Sequence, residues 1–315
     1  MASGNAVNVG VNPTVSLPHK SGDGIMRISE QIFHEKFNRK PIVFEHNLAD
    51  HPAFSMDRLQ KLFEMSVGNE NLLYWDAGQK QLNQRWNEQP GRDFPVEDAF
   101  RRIRETGAWF ILFGAKRDPE IAALLEETMQ QVQTLSGRDI FSEMKVRSAY
   151  IFITAPRRIT TYHIDRECNF LLQVHGDKTI HIFDQTDREL LEEETLEKFW
   201  SKDNNCAVYK PEMQDRALSV TMQPGMGVHL PVNAPHWLQN GDDISVSLSL
   251  NFQFKNPALA NIYRANYYLR RLGLNPTPPH ASRIGDFVKG YGMALPVNTV
   301  KAYKKYIKKQ DLSRD

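Results

Sequence analysis

The chain of 315 residues is poor in several things. It has two cysteines, Cys168 and Cys206, so no disulfide framework staples it, and a reducing cytoplasm is the expected setting. Its 39 lysines and arginines nearly balance 38 aspartates and glutamates, and the net charge of +1 is too small to recruit nucleic acid or an anionic membrane. No run of about 18 apolar residues occurs, which rules out a membrane-spanning helix. Residues 1–24 lack the basic-then-apolar order of a secretory signal and read as a flexible leader. No internal repeat is present. What the chain does have is 41% hydrophobic residues, enough to bury a sizeable core.

Residues 25–147 mix helices and strands. The spacing predicts a short helix before the strand "PIVFEH", a helix over Ser55 to Met65, a buried strand in "AWFILFG", and a long helix opened by Asp118-Pro119 and closed by Gly137. From Ser148 the texture changes. Short strand-like runs follow one another up to Asn256: "SAYIFIT", "TTYHID", "NFLLQVHG", "KTIHIFD", "ALSVTMQPG", "GVHLPV" and "ISVSLSLNFQF". One helix, "DRELLEEETLEKFW", interrupts them. Gly176-Asp177 and Gly241-Asp242 are read as hairpin-like turns. Strands at this density predict a mainly β fold with flanking helices, a jelly roll of the cupin kind. Residues 257–315 return to helix, with a Pro-rich hinge "NPTPP" and a tail that sets Val300, Tyr303, Tyr306 and Ile307 on one face and lysines on the other.

Three residues stand out as metal ligands. In "YHID", His163 and Asp165 are two apart, and on a strand such residues face the same way. His236 in "VNAPHWLQNGD" is the third candidate, with His229 its only rival. Two histidines and one carboxylate on one face of a metal leave three positions open, the pattern of non-haem Fe(II) oxygenases. Lys178 is the second signal. It shares strand parity with Ile180 and Ile182, so its ammonium is aimed at an apolar face. Either it snorkels to water at the strand mouth or it awaits a bound anion. The far carboxylate of 2-oxoglutarate is such an anion, and Thr160 offers a hydroxyl beside it.

The stretches "TTYHIDRECNFLLQVHGDK" and "HWLQNGDDISVSLSLNF" resemble the JmjC oxygenases, in particular the branch containing the asparaginyl hydroxylase that inhibits hypoxia-inducible factor. That family carries Thr three residues before its first ligand His, Asn six after and Lys fifteen after; around His163 these are Thr160, Asn169 and Lys178. It also carries Asn fifteen residues after the second His, which from His236 is Asn251. The match covers roughly Thr160 to Phe254. Gly225-Met226 departs from the family's Gly-Asp, and the tyrosine that touches 2-oxoglutarate in the family has only Trp109 and Tyr150 as candidates here. The resemblance implies a JmjC-like double-stranded β-helix. It implies Fe(II) held by His163, Asp165 and His236, with 2-oxoglutarate at Thr160, Asn169, Lys178 and Asn251. It further implies O2 as oxidant, a hydroxylated substrate C–H, release of succinate and CO2, and a homodimer through the C-terminal helices.

Two other functions compete with a hydroxylase. A non-catalytic sensor of small acids does not need three iron ligands. A metal-dependent hydrolase or isomerase does not need Lys178, Thr160 and Asn251. Arg166 and Glu167 are read as lining the pocket mouth or forming a surface salt bridge, Trp237 and Cys168 as core, and His181 as facing away from the site. The basic tail after Lys301 is read as a solvated face, not a nucleic-acid site.

Overall fold

The computed structural model describes residues 24–85, 88 and 94–293. The leader and the predicted tail helix therefore lie outside the described residues. The order opens with strand β1 (Met26–Arg27), helix α1 (Glu30–Lys36), β2 (Ile42–His46), α2 (Met56–Glu64) and β3 (Leu73–Asp76). Next come α3 (Val96–Arg101), α4 (Ile103–Thr106), β4 (Trp109–Leu112), α5 (Pro119–Ser136) and α6 (Ile140–Glu143). The barrel strands follow: β5 (Met144–Thr154), β6 (Ile159–His163), β7 (Cys168–His175) and β8 (Lys178–Ile182). After α7 (Glu193–Ser201) come β9 (Leu218–Met222), β10 (Met226–Leu230), β11 (His236–Asn240) and β12 (Ser245–Phe254). Helices α8 (Ala258–Arg271) and α9 (Arg283–Gly292) end the described chain.

The strands form two sheets. One runs β1-β2-β10-β7-β12-β5-β4-β3 and the other β6-β11-β8-β9, with every neighbouring pair antiparallel. Their facing sides enclose a barrel of the jelly-roll, double-stranded β-helix type. The strands β3 and β4 from the N-terminal part extend the larger sheet, so that part and the barrel share one hydrophobic core.

Strict alternation divides the core. Phe170, Leu172, Leu248, Leu250 and Phe252 point out of the barrel and pack under α1, α2 and α5. Leu171, Ile180, Ile182, Val228, Leu230 and Leu238 point inward. A third cluster, with Tyr162, Phe199, Trp200, Trp237 and Tyr263, lies outside the smaller sheet beneath α7 and α8. Both faces of β7 are covered, which is why Phe170, Leu171, Leu172 and Val174 are buried on both sides of it and seven of its eight residues are buried. Helix α5 follows its signals: Asp118 accepts from the Glu120 and Ile121 amides, Pro119 occupies the first turn, and Gly137 closes it with φ +61°.

Two turns differ from the sequence expectation. Gly176-Asp177 and Gly241-Asp242 are not hairpins, because β7 and β8 lie in different sheets, as do β11 and β12. They are corners where the chain changes sheet. Gly176 has φ +63°, and a Cβ there would meet the Ile244 carbonyl at 2.5 Å, so the corner needs glycine. Strands β1, β3 and β11 and helices α3, α4, α6 and α9 were not anticipated. After the hinge, Ser282 caps α9 by accepting from the Gly285 amide.

A buried charge cluster holds the edge of the larger sheet to the entrance of β6. Arg158 is 2% exposed and donates to the Asp76 carboxylate and to the carbonyls of Gly78 and Gly107. The Lys80 Nζ lies 3.3 Å from the second Asp76 oxygen. Arg158 sits at the turn that starts β6, so this cluster fixes where the strand bearing His163 begins.

Candidate active site

Strands β6 and β11 pair so that His163 and His236 are direct cross-strand partners. The register then slips: His236 to Leu238 spans two residues, and the opposing His163 to Thr160 spans three. The extra residue is a β-bulge, and it turns Thr160 and His163 to the same side although their spacing is odd. Asp165 is not on the strand, as the same-face argument had it. β6 ends at His163, and Asp165 lies in the loop beyond, anchored by the Asn233 amide donating to its carbonyl at 2.9 Å.

The three side chains converge nonetheless. Asp165 Oδ2 lies 3.8 Å from His163 Nε2 and 3.8 Å from His236 Nε2, and all three donor atoms fall within 4.8 Å of one another. Each imidazole is oriented from behind. His163 Nδ1 donates to the Thr161 carbonyl at 2.7 Å, and His236 Nδ1 donates to the Ala234 carbonyl at 2.9 Å. With the proton on Nδ1, both Nε2 lone pairs point at the shared focus, the usual bracing of metal-binding histidines. Burial, then the nearby His163, pushes the His236 pKa down to about 4, which keeps its ring neutral. Donors on adjacent positions of an ion at about 2.0–2.2 Å stand about 3 Å apart, so the 3.8 Å separations place the three side chains around one focus and would have to close by about 0.8 Å to share an ion. Two imidazole nitrogens and one carboxylate are a donor set for iron or another divalent transition metal, with open positions left for other ligands.

This focus opens into a cavity of about 430 Å³. Lys178, Thr160, Asn169 and Asn251 all line it. Lys178 is 4% exposed and makes no hydrogen bond or ion pair among the described residues. Burial alone drives its pKa down from 10.5 to about 7. The snorkelling alternative is therefore excluded by burial. Asn169 Nδ2 donates to Ser249 Oγ at 2.7 Å and to Asn251 Oδ1 at 2.6 Å, while its own Oδ1 is buried without a partner. Ser249, Asn251 and Gln253 alternate along β12 and all reach the cavity, so parity with Asn251 was the signal for the other two. Trp109, Phe113, Tyr150 and Phe152 form an aromatic wall, with Trp109 and Phe152 stacked at 6.1 Å.

The remaining histidines have other tasks. His229 is buried, accepts from the Asn38 amide at Nε2 and contacts the Asn169 carbonyl through Nδ1, so neither nitrogen is free for a metal. Its place between β10 and the end of α1 makes it a structural residue. His181 lies on the opposite face of β8 and stacks on Trp237 at 3.9 Å. Trp237 and Cys168 are core. Arg166 and Glu167 line the cavity mouth. No helix among the described residues is long and apolar enough to cross a membrane.

No protein-family model matches the sequence, and no curated protein is significantly similar to it. Solved structures do match the fold. The ribosomal oxygenase YcfD of Escherichia coli superposes with a TM-score of 0.50 at 15% identity, over 86% of this chain and 67% of that one. A second YcfD structure gives 0.51 at 16%, covering 86% and 68%. YcfD in complex with cobalt and 2-oxoglutarate gives 0.51 at 17%, covering 86% and 67%. At such identity the likeness is one of fold.

Proposed function

We propose that this protein is an Fe(II)- and 2-oxoglutarate-dependent dioxygenase that hydroxylates a substrate C–H. The observation that carries the proposal is a buried lysine without a counter-charge opening on the same cavity as a His-Asp-His donor set. A fully buried ammonium is costly, and a ligand carboxylate removes that cost. The fold likeness to an oxygenase solved with cobalt and 2-oxoglutarate supports the same reading. The spacing of Thr160, Asn169, Lys178 and Asn251 supports kinship with the asparaginyl-hydroxylase branch.

In this reading His163, Asp165 and His236 hold the metal through Nε2, a carboxylate oxygen and Nε2. The bound iron supplies the activation of O2 that couples decarboxylation of 2-oxoglutarate to oxidation of the substrate. The chain's own part is positioning. The backbone carbonyls of Thr161 and Ala234 lock the two imidazoles. Lys178, with the Thr160 hydroxyl, takes the far carboxylate of the co-substrate. The amide pair Asn169 and Asn251, held rigid through Ser249, presents polar atoms to the keto-acid end. Leu171 and Leu238 exclude water between the charged ends.

The test is conversion of 2-oxoglutarate to succinate by the purified protein with Fe(II), followed by a search for products heavier by one oxygen. Loss of succinate formation in Asp165→Ala supports the reading. A metal-loaded wild type that never forms succinate overturns it.

We also propose a homodimer through the C-terminal helices. Along α9, Ile284, Phe287, Val288 and Tyr291 recur at helical spacing and are 80%, 64%, 62% and 62% exposed. Such a stripe is more apolar surface than a monomer usually leaves in water.

A further inference from the structure

Arg166 follows the proposed ligand Asp165 and lines the mouth of the same cavity. Its guanidinium lies over two aromatic rings at the end of α7, 4.9 Å from the centre of Phe199 and 5.3 Å from that of Trp200. Nη2 donates to the Phe199 carbonyl, and the Nε–H is buried without a partner. Stacking fixes the plane of a guanidinium while leaving its edge donors free. Arg166 forms no ion pair with any described carboxylate. Glu167 shares the cavity mouth and is itself engaged. A second guanidinium, Arg264, stands close enough to repel Arg166 and is tied to the Trp200 carbonyl at 3.1 Å. A guanidinium that lines the cavity, with a second cation behind it and its Nη1 donors unused, is a setting for an anion. Lys178 already provides for the far carboxylate of 2-oxoglutarate, so this anion is a different one.

We propose that Arg166 is a specificity-determining residue that anchors a carboxylate of the substrate, placing the apolar part of that substrate against Trp109, Tyr150 and Phe152. The proposal rests on the oxygenase reading above. Nη1 and the second proton of Nη2 can face a carboxylate with two parallel charge-assisted hydrogen bonds, which orients the substrate as well as holding it. Glu167 offsets the positive charge at Arg166 without forming an ion pair with it, and Arg264 adds to that charge, which is why an acid is favoured over an amide.

The test is calorimetric titration of the protein saturated with Fe(II) and 2-oxoglutarate in the absence of oxygen. Two matched pairs are used: 3-phenylpropionate with 3-phenylpropionamide, and N-acetyl-aspartyl amide with N-acetyl-asparaginyl amide. At least one acid is expected to bind tenfold or more tightly than its amide, about 1.4 kcal/mol. The pair that shows it tells a free acid from an acidic peptide side chain. Arg166→Gln is expected to bring that ratio close to one, and Arg166→Lys, which keeps charge but loses the fork, to retain part of it. Equal binding of acid and amide in both pairs overturns the proposal, as does a preference that survives in Arg166→Gln. Failure of the protein to take up 2-oxoglutarate at all appears in the first titration and strikes the oxygenase reading itself.

Discussion

Replacing Lys178 by methionine separates its two roles. Methionine has similar length and no charge. In the unfolded chain the lysine titrates at its ordinary 10.5, and in the folded protein at about 7. That gap corresponds to about 5 kcal/mol. The sign follows from where the proton resides. Between pH 7 and 10.5 the unfolded state holds it and the folded state does not, so stability rises with pH across this window. The cost of burying Lys178 is thus fully present below pH 7 and fades towards 10.5. Lys178→Met is expected to stabilise the ligand-free protein by about 4 kcal/mol at pH 7 and about 2 kcal/mol at pH 9. For a chain of this size the pH 7 gain is roughly 8 °C in melting temperature. The same substitution removes the charge-assisted bond to 2-oxoglutarate, worth about 1.5–3 kcal/mol, and weakens binding about tenfold to a hundredfold or more. Denaturant titration at pH 6, 7 and 9, with calorimetry of 2-oxoglutarate, reads both effects. A variant no more stable than wild type at pH 6 refutes the uncompensated-charge argument. A stabilised variant that binds 2-oxoglutarate normally refutes the assignment of the site.

Because Lys178 is half neutral near pH 7, 2-oxoglutarate binding at pH 8 is expected to take up close to one proton, seen as a dependence of the calorimetric heat on the buffer's ionisation enthalpy, with affinity falling as pH rises above 7. Buffer-independent heats would contradict this. Asp165→Ala removes the only carboxylate of the donor set, and equilibrium dialysis is expected to show loss of most Fe(II) affinity with the fold retained by circular dichroism. Asp76→Ala leaves Arg158 and Lys80 buried without their counter-charge and is expected to cost about 3–5 kcal/mol in denaturant unfolding, whereas a change within 1 kcal/mol would mean the cluster relaxes to water. Truncation after Asn256 is a poor test of the dimer, because Ala260 and Tyr263 of α8 belong to the core under α7. The double variant Phe287→Asp, Val288→Asp alters exposed positions only, and light scattering is expected to show it as a monomer beside a dimeric wild type; a monomeric wild type at micromolar concentration ends the idea.

Much of the architecture was legible in the sequence because strand burial has a period of two. Alternation along "KTIHIF" set Lys178 on the inward face with Ile180 and Ile182, and the end signals of α5 are local chemistry that needs no tertiary context. The offsets of Thr160, Asn169 and Lys178 from His163 were legible only through the resemblance to the JmjC oxygenases. Other features belong to the fold alone. The bulge that brings Thr160 and His163 to one side exists only in the pairing of β6 with β11, and β11 was hidden because "HWLQN" is short and starts at a ligand. Whether a Gly-Asp turn makes a hairpin or a corner depends on which sheet receives the next strand, and local sequence does not encode that. The resemblance already favoured His236 over His229 through the Asn251 offset, and the fold adds the physical reason, since both ring nitrogens of His229 are already engaged. Finally, sequence parity can aim a lysine inward, but only the packed structure decides that no described carboxylate meets it there, because counter-charges come from strands far away in the chain.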